Sequence, residues 1–159
     1  MITPHQQNAL ALALSQKGMR EHPAGSNDQK YSRYFGFGPQ FWCADFVAFC
    51  MDKTGNRDHK VPWGYPSAAA NIAAWGQRTG KMHGRPRRGD IFVVHDDNVP
   101  PGRSKWVHTG FVTSADGSSF MTVEGNTSGP GPGGDIYVAS HSRGTPSSGQ
   151  KYFFVGPWS

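Results

Sequence analysis

A change of pattern near Gly89 constrains the fold of this chain more than any other feature. Before it, apolar residues recur at helical spacing, whereas after it they form short β-branched or aromatic runs between turn residues. Helices followed by strands predict an α+β fold, with N-terminal helices packed on a C-terminal antiparallel sheet. No internal repeat or composition boundary divides the 159 residues, so we expect a single domain over residues 1–159.

Three helices are predicted in the first half. Their bounds are Thr3 to Gly18, Phe41 to Lys53 and Ser67 to Trp75. The first begins with a capping box, the second has the broad apolar face of a buried helix, and Ser67 is the expected cap of the third. Residues 22–40 between the first two form an aromatic-rich loop that we expect to lie across the face of the domain.

Five short strands are predicted in the second half. They are Ile91–Val94, Trp106–Val112, Ser119–Glu124, Ile136–Ser140 and Tyr152–Val155. The Asp116-Gly117 pair predicts a tight hairpin between the second and third of them, and the segment Gly129–Gly134 predicts a loop.

The charge balance favours an acidic partner. Sixteen Lys and Arg against eleven Asp and Glu leave a net charge of +5, which suits nucleic acid, anionic lipid or a bacterial wall polymer, or serves solubility alone. No apolar run approaches the length of a membrane span. The apolar stretch Ala9–Leu14 is too short for a signal peptide and follows no basic residue, so no export signal is recognisable.

The two cysteines are expected to be free and to differ in reactivity. On one helix, Cys43 and Cys50 would lie about 10 Å apart, beyond the roughly 7 Å that a disulfide can bridge. Cys43 lies at the predicted helix start, where unpaired N–H groups and the helix dipole favour the thiolate. Cys50 lies two turns further along and is expected to be an inert core residue.

His108 is the strongest of seven histidines as a partner for this thiol, because it lies inside a predicted strand. A hairpin turning at Asp116-Gly117 pairs residues whose numbers add up to about 233 and places His108 opposite Gly125, one step from Glu124. A carboxylate beside an imidazole orients the ring, so Cys43, His108 and Glu124 would form a set of nucleophile, base and orienting residue. Each residue alone also has an ordinary structural interpretation, and only their combination indicates chemistry.

Four segments carry a resemblance to a known family: Trp42–Val47, Arg88–Ile91, His108–Val112 and Thr122–Thr127. In this order they resemble the CHAP family, the cysteine, histidine-dependent amidohydrolase/peptidase domains of papain-like fold. Residues 21–27 also resemble the lead-in of some members, and the likeness spans roughly residues 8–155.

The resemblance implies peptidoglycan hydrolysis through an acyl-enzyme. Cys43 would attack an amide carbonyl, His108 would act as base and then acid, Glu124 would orient His108, and Asn126 would assist at the same edge. The oxyanion would lie against the Cys43 N–H and Gln40.

Some members bind calcium through an acidic loop before the cysteine. This chain offers only Asn27 and Asp28 there, so we expect no required metal and no cofactor. Four aromatic residues are candidates to line a substrate groove or, equally, to pack in the core: Trp42, Trp63, Tyr65 and Trp106. The basic run Lys81–Arg88 would either meet anionic wall polymers or form a solvated loop.

We therefore expect a monomeric enzyme that acts on bacterial peptidoglycan at the cell wall, such as a phage-type lysin or an antibacterial enzyme, without nucleic-acid or membrane partners. Two alternatives stay open: a cysteine amidase or peptidase acting on a non-wall amide, and a basic nucleic-acid-binding module that uses residues 81–88. The sequence also leaves open whether the muramoyl–L-alanine amide or a peptide bond is cut.

Overall fold

The computed structural model of the protein describes residues 1–55, 61–65, 67–128 and 136–158. The predicted α+β fold is confirmed, because the helices of this part of the chain precede its sheet. The helices are α1 (Pro4–Ser15), α2 (Lys30–Tyr34), α3 (Cys43–Thr54) and α4 (Ala69–Arg78). The strands are β1 (Met82–His83), β2 (Ile91–Asp96), β3 (Trp106–Asp116), β4 (Ser119–Ser128), β5 (Ile136–Arg143) and β6 (Gln150–Val155). The loop predicted at Gly129–Gly134 lies outside the described residues.

The six strands form one antiparallel sheet in the order β1-β6-β2-β3-β4-β5. The predicted hairpin joins β3 to β4, with Asp116 paired to Ser119 across the turn. The five predicted strands are present, and each extends beyond its predicted bounds because polar residues continue the ladder. The two-residue strand β1 was not predicted, since it is too short to show a periodic pattern.

The predicted helices at α1 and α3 are present, whereas the predicted start of α4 is wrong and α2 was not predicted. The capping box of α1 is present, with Thr3 and Gln6 bonded reciprocally. The predicted Ser67 cap is wrong, because the Ser67 hydroxyl accepts the indole N–H of Trp63 at 3.0 Å while α4 begins two residues later. Residues 22–40 contain the short helix α2, whose five residues are too few to show helical periodicity.

The core lies between α3 and one face of the sheet. Phe46 of α3 is fully buried and packs edge-on against Phe111 of β3, with ring centroids 6.3 Å apart. Burial of one such side chain contributes roughly 1.5–3 kcal/mol. A second apolar cluster, which includes Phe92, Phe120 and Phe154, covers the opposite face. Among the described residues, no helix has the length and apolar character needed to cross a membrane.

Candidate active site

Cys43 is the first residue of α3, which begins two residues later than predicted, and its position is fixed by the buried residue before it. The Trp42 ring stacks on Tyr31 with centroids 5.5 Å apart, and its indole N–H donates to the Glu21 carboxylate at 3.0 Å. The Trp42 carbonyl accepts the first helical hydrogen bond, from Phe46 N–H. The half-buried Cys43 therefore lies among the unpaired N–H groups of a helix start.

Strand β4 passes unusually close to this helix start. A Cβ atom added at Gly125 would lie 2.6 Å from Phe46 Cβ and 2.9 Å from Trp42 Cζ3, so only glycine permits the approach. The neighbours of this glycine in β4 are Glu124 and Asn126. The glycine thereby brings the predicted orienter segment against the first turn of α3.

His108 joins the nucleophile to the carboxylate. Its Nε2 lies 2.6 Å from Glu124 Oε1, and interaction with the Cys43 side chain contributes to raising the pKa of the ring. Because Nε2 is engaged by Glu124, Nδ1 is the nitrogen left available to the thiol. The structure thus places a thiol, an imidazole and a carboxylate in series, in the order that the sequence indicated.

The predicted pairing of His108 with Gly125 is wrong. The turn is centred on Gly117 and Ser118, so that Asp116 pairs with Ser119. A β-bulge between Val112 and Ser114 then shifts the register by one residue, and Phe111 pairs with Val123. Continued toward the start of β3, this register places His108 opposite Asn126. Since side chains alternate between faces, the shift brings His108 and Glu124 to the same face, whereas the unshifted register would have separated them.

Glu124 is fully buried and is held by several donors. Arg143 of β5 donates from Nη2 to Oε1 and from Nε to Oε2, both at 2.7 Å, and the Thr122 hydroxyl also donates to Oε2. Burial opposes ionisation, but the hydrogen bonds from Arg143 and His108 outweigh it and lower the pKa of Glu124 to about 2. The carboxylate is therefore ionised across the physiological range.

The pKa of His108 is shifted in the opposite direction, upward. Burial disfavours its charged form, but hydrogen bonds with Cys43 and Glu124 outweigh burial and raise the pKa of His108 to about 9. An imidazolium at neutral pH is the partner that stabilises a thiolate, so His108 is suited to form a thiolate–imidazolium pair.

Cys50 has the inert environment that the sequence predicted. Both cysteines lie in the described part of the chain and both are free. Cys50 is fully buried, and desolvation raises the pKa of its thiol well above the usual range. Its thiolate is therefore not accessible for chemistry near neutral pH.

Gln40 and Asn126 are the other predicted polar residues, and the structure places them near α3 and near His108, respectively. The Gln40 side-chain amide donates to Asp45 Oδ2 at 2.7 Å, and Ser32 Oγ donates to the same oxygen at 2.6 Å. Asp45 belongs to the first turn of α3, so Gln40 is tethered beside the helix start. Asn126 has a left-handed φ of 54° and lines a groove of about 330 Å³ with His108.

The four candidate groove aromatics divide into two pairs. Trp42 and Trp63 are buried in the core, where a substrate cannot reach them, so the structure gives these two the packing role. Tyr65 is 44% exposed and stacks at a tilt on Phe35, and Trp106 is half-buried beside His95. Tyr65 and Trp106 stay candidates for substrate contact.

Arg143 is the site residue that sequence reasoning missed. Its side chain is 22% exposed and forms the paired hydrogen bonds to Glu124. A signal was available: treating residues 129–134 as a symmetric turn would have paired Arg143 with Phe120, as observed, and placed it on the Glu124 face. Within the described residues, no group of three His, Cys, Asp or Glu side chains is placed to hold a metal ion.

One comparison with known proteins identifies a family. A family model described as the CHAP domain matches residues 33–126, more than half of the chain. The matched segment contains Cys43, His108, Glu124 and Asn126 and stops before Arg143. The comparisons with curated proteins and with solved structures returned no match.

Proposed function

The chain belongs to the CHAP family, and from this premise we propose that it is a peptidoglycan hydrolase that cuts an amide bond through a Cys43 acyl-enzyme. Family membership supports a cysteine- and histidine-dependent amidohydrolase or peptidase. The observation that carries the finer proposal is the position of His108, whose Nε2 is bonded to Glu124 and whose pKa is raised in part by the Cys43 side chain.

The acylation step follows from the thiolate–imidazolium pair. Cys43 Sγ attacks the amide carbonyl carbon, and the developing oxyanion lies against the Cys43 N–H and the Gln40 amide. The His108 Nδ1 proton passes to the amide nitrogen, the C–N bond breaks and the amine leaves. A thioester to Cys43 and a neutral His108 result.

Deacylation returns the same groups to their starting state. His108 takes a proton from water as the water oxygen attacks the thioester carbon, and the C–S bond breaks. The products are a carboxylic acid and a thiolate beside an imidazolium. Glu124 stays ionised throughout and keeps the ring oriented, while Asn126 assists at the same edge.

The proposed substrate and location rest on charge and on the family. CHAP domains typically act on peptidoglycan, and the net charge of +5 would hold the enzyme near an anionic wall. Arg85, Arg87 and Arg88 of the basic run are exposed and available for this contact. Tyr65 and Trp106 offer exposed or half-exposed rings to sugar or peptide.

We also propose a monomer whose residues 1–159 form one catalytic domain. Leu10 of α1 and Trp158 near the other end both pack in the core cluster that contains Phe46. The proposal includes action without a required metal or nucleic acid. Among biological roles, a phage-type lysin or an antibacterial wall-degrading enzyme fits it best.

The test is loss of turbidity of purified bacterial cell walls. Wild type should lyse them, Cys43→Ala should not, and Cys50→Ala should be the matched control that keeps most of the activity. Equal lysis by wild type and Cys43→Ala would refute the proposal, and loss of lysis with Cys50→Ala would mean that the wrong thiol was chosen. Mass spectrometry of the released muropeptides would identify the bond.

Two other outcomes would indicate a different function. Cleavage of soluble peptides or amides that depends on Cys43, without lysis of walls, would indicate an amidase or peptidase with a non-wall substrate. Salt-dependent retention of DNA, with no reaction that depends on Cys43, would indicate a binding module.

A further inference from the structure

Arg143 is held in place on both sides of its guanidinium. On one side it binds both oxygens of Glu124 in the bidentate geometry that fixes a carboxylate most firmly. On the other it lies over the rings of Phe92 and Tyr152, with its Cζ 5.2 Å and 5.9 Å from their centroids. This packing restricts the guanidinium, and through it the carboxylate, to one orientation.

A continuous series of contacts leads from Arg143 to the nucleophile. Arg143 binds Glu124, Glu124 binds His108, and His108 binds Cys43. The titratable groups around the carboxylate are His108 on β3, Arg143 on β5 and, behind the guanidinium, Tyr152 on β6. His141 on β5 is directed elsewhere, with Nε2 3.0 Å from Thr127 Oγ1.

We propose that Arg143 is a positioning residue that holds Glu124 turned toward His108, and that it thereby keeps Cys43 reactive at lower pH. The inference rests on the proposed function in taking Cys43 as the nucleophile. Arg143 acts through Glu124 and His108 and does not need to touch the reacting bond.

Removing the guanidinium acts first on the carboxylate. The pKa of the buried Glu124 rises, by about one unit or more for the loss of an opposite charge at hydrogen-bond distance. Once Glu124 is protonated in acid, the His108 imidazolium loses its counter-charge and its fixed partner. The pH below which Cys43 stops reacting should therefore rise by about one unit.

The experiment measures the rate of Cys43 alkylation by iodoacetamide against pH, with mass spectrometry to locate the adduct. The reagent is uncharged and needs no substrate recognition. Arg143→Met should move the acid midpoint upward by about one unit, and Arg143→Lys should move it less, because lysine keeps the charge but cannot bind both oxygens. Tyr152→Phe, which keeps the Glu124 contacts, should leave the midpoint in place.

The outcomes separate this inference from the proposed function. A wild-type Cys43 that alkylates only at the pH of an ordinary thiol contradicts the proposed nucleophile itself. A normal wild-type profile with an unchanged midpoint in a folded Arg143→Met variant overturns the role of Arg143 alone. If circular dichroism shows that Arg143→Met does not fold, the Arg143→Lys profile decides: an upward shift supports the inference, and an unshifted one overturns it.

Discussion

Gly110 offers the sharpest test of how the site is built, because a single methyl group there would enter it directly. A Cβ at this position would lie 2.8 Å from Phe92 Cε1, 2.9 Å from Glu124 Cγ and 3.0 Å from Val123 O. Carbon atoms in contact normally lie about 3.5–4.0 Å apart, so the Phe92 and Glu124 carbons would have to move by roughly half an ångström or more, whereas Val123 O would have to move less.

None of the three neighbours can move cheaply. Phe92 is fully buried, and Val123 O belongs to the backbone of the central sheet. Glu124 is fixed by Arg143 and by the 2.6 Å bond to His108. Overpacking at such a site costs about 1–3 kcal/mol of unfolding free energy. Displacement of Glu124 would also turn His108, and a misplacement of about 1 Å can cost on the order of 100-fold in rate.

We therefore expect Gly110→Ala to lower the free energy of unfolding by about 1–3 kcal/mol and the lysis rate by about 10- to 100-fold. Urea unfolding and wall turbidity measure the two effects. Gly38→Ala is the matched control, because a Cβ at Gly38 would meet nothing within 4 Å. A folded Gly110→Ala variant with wild-type stability and rate would refute the packing argument.

Two further predictions follow from the shifted pKa values. The pKa of Glu124 is about 2 in the folded state against a usual 4.5, so its stabilising contribution is complete above pH 4.5 and lost as pH falls toward 2. Between pH 3 and 6, the free energy of unfolding measured in urea should therefore depend less on pH for Glu124→Gln than for wild type. Equal pH dependence in the two proteins would contradict this. The pKa of His108 is raised from 6.5 to about 9, so the imidazolium is retained through neutral pH and lost as pH rises through 9. Lysis should accordingly decline near pH 9, and a rate still increasing well above it would speak against His108 as the proton donor.

The parts of the site that depend on local pattern could be predicted from sequence. The position of Cys43 near the start of α3 follows from the apolar face of that helix, and Gly55 directly follows its last residue. The β3–β4 hairpin follows from Asp116-Gly117, whose glycine has the positive φ of 61° that the turn needs. Both depend on residues close together in the chain, where steric and hydrogen-bonding rules act directly.

The parts of the site that depend on tertiary packing could not be predicted from sequence. The bulge beside Val112 inserts one residue into the ladder, and no turn residue marks it in the sequence. The burial of Trp42 depends on Glu21 and on Tyr31 of α2, which both come from the segment before α3. An aromatic residue next to a nucleophile is equally consistent with a groove wall and with a core residue until those partners are known.

The two faces of the sheet explain why the carboxylate and the nucleophile have different surroundings. Phe111, which contacts α3, lies on one face, whereas Val112, next in the chain, joins the second cluster on the other. By the same alternation, Glu124 lies on the face of the second cluster, away from α3. His108, near the start of β3, is the side chain that reaches both Glu124 and Cys43. Glu124 can therefore be fully buried and fixed by Arg143 while Cys43 stays open to substrate. The influence of the carboxylate on the thiol then passes through the imidazole of His108.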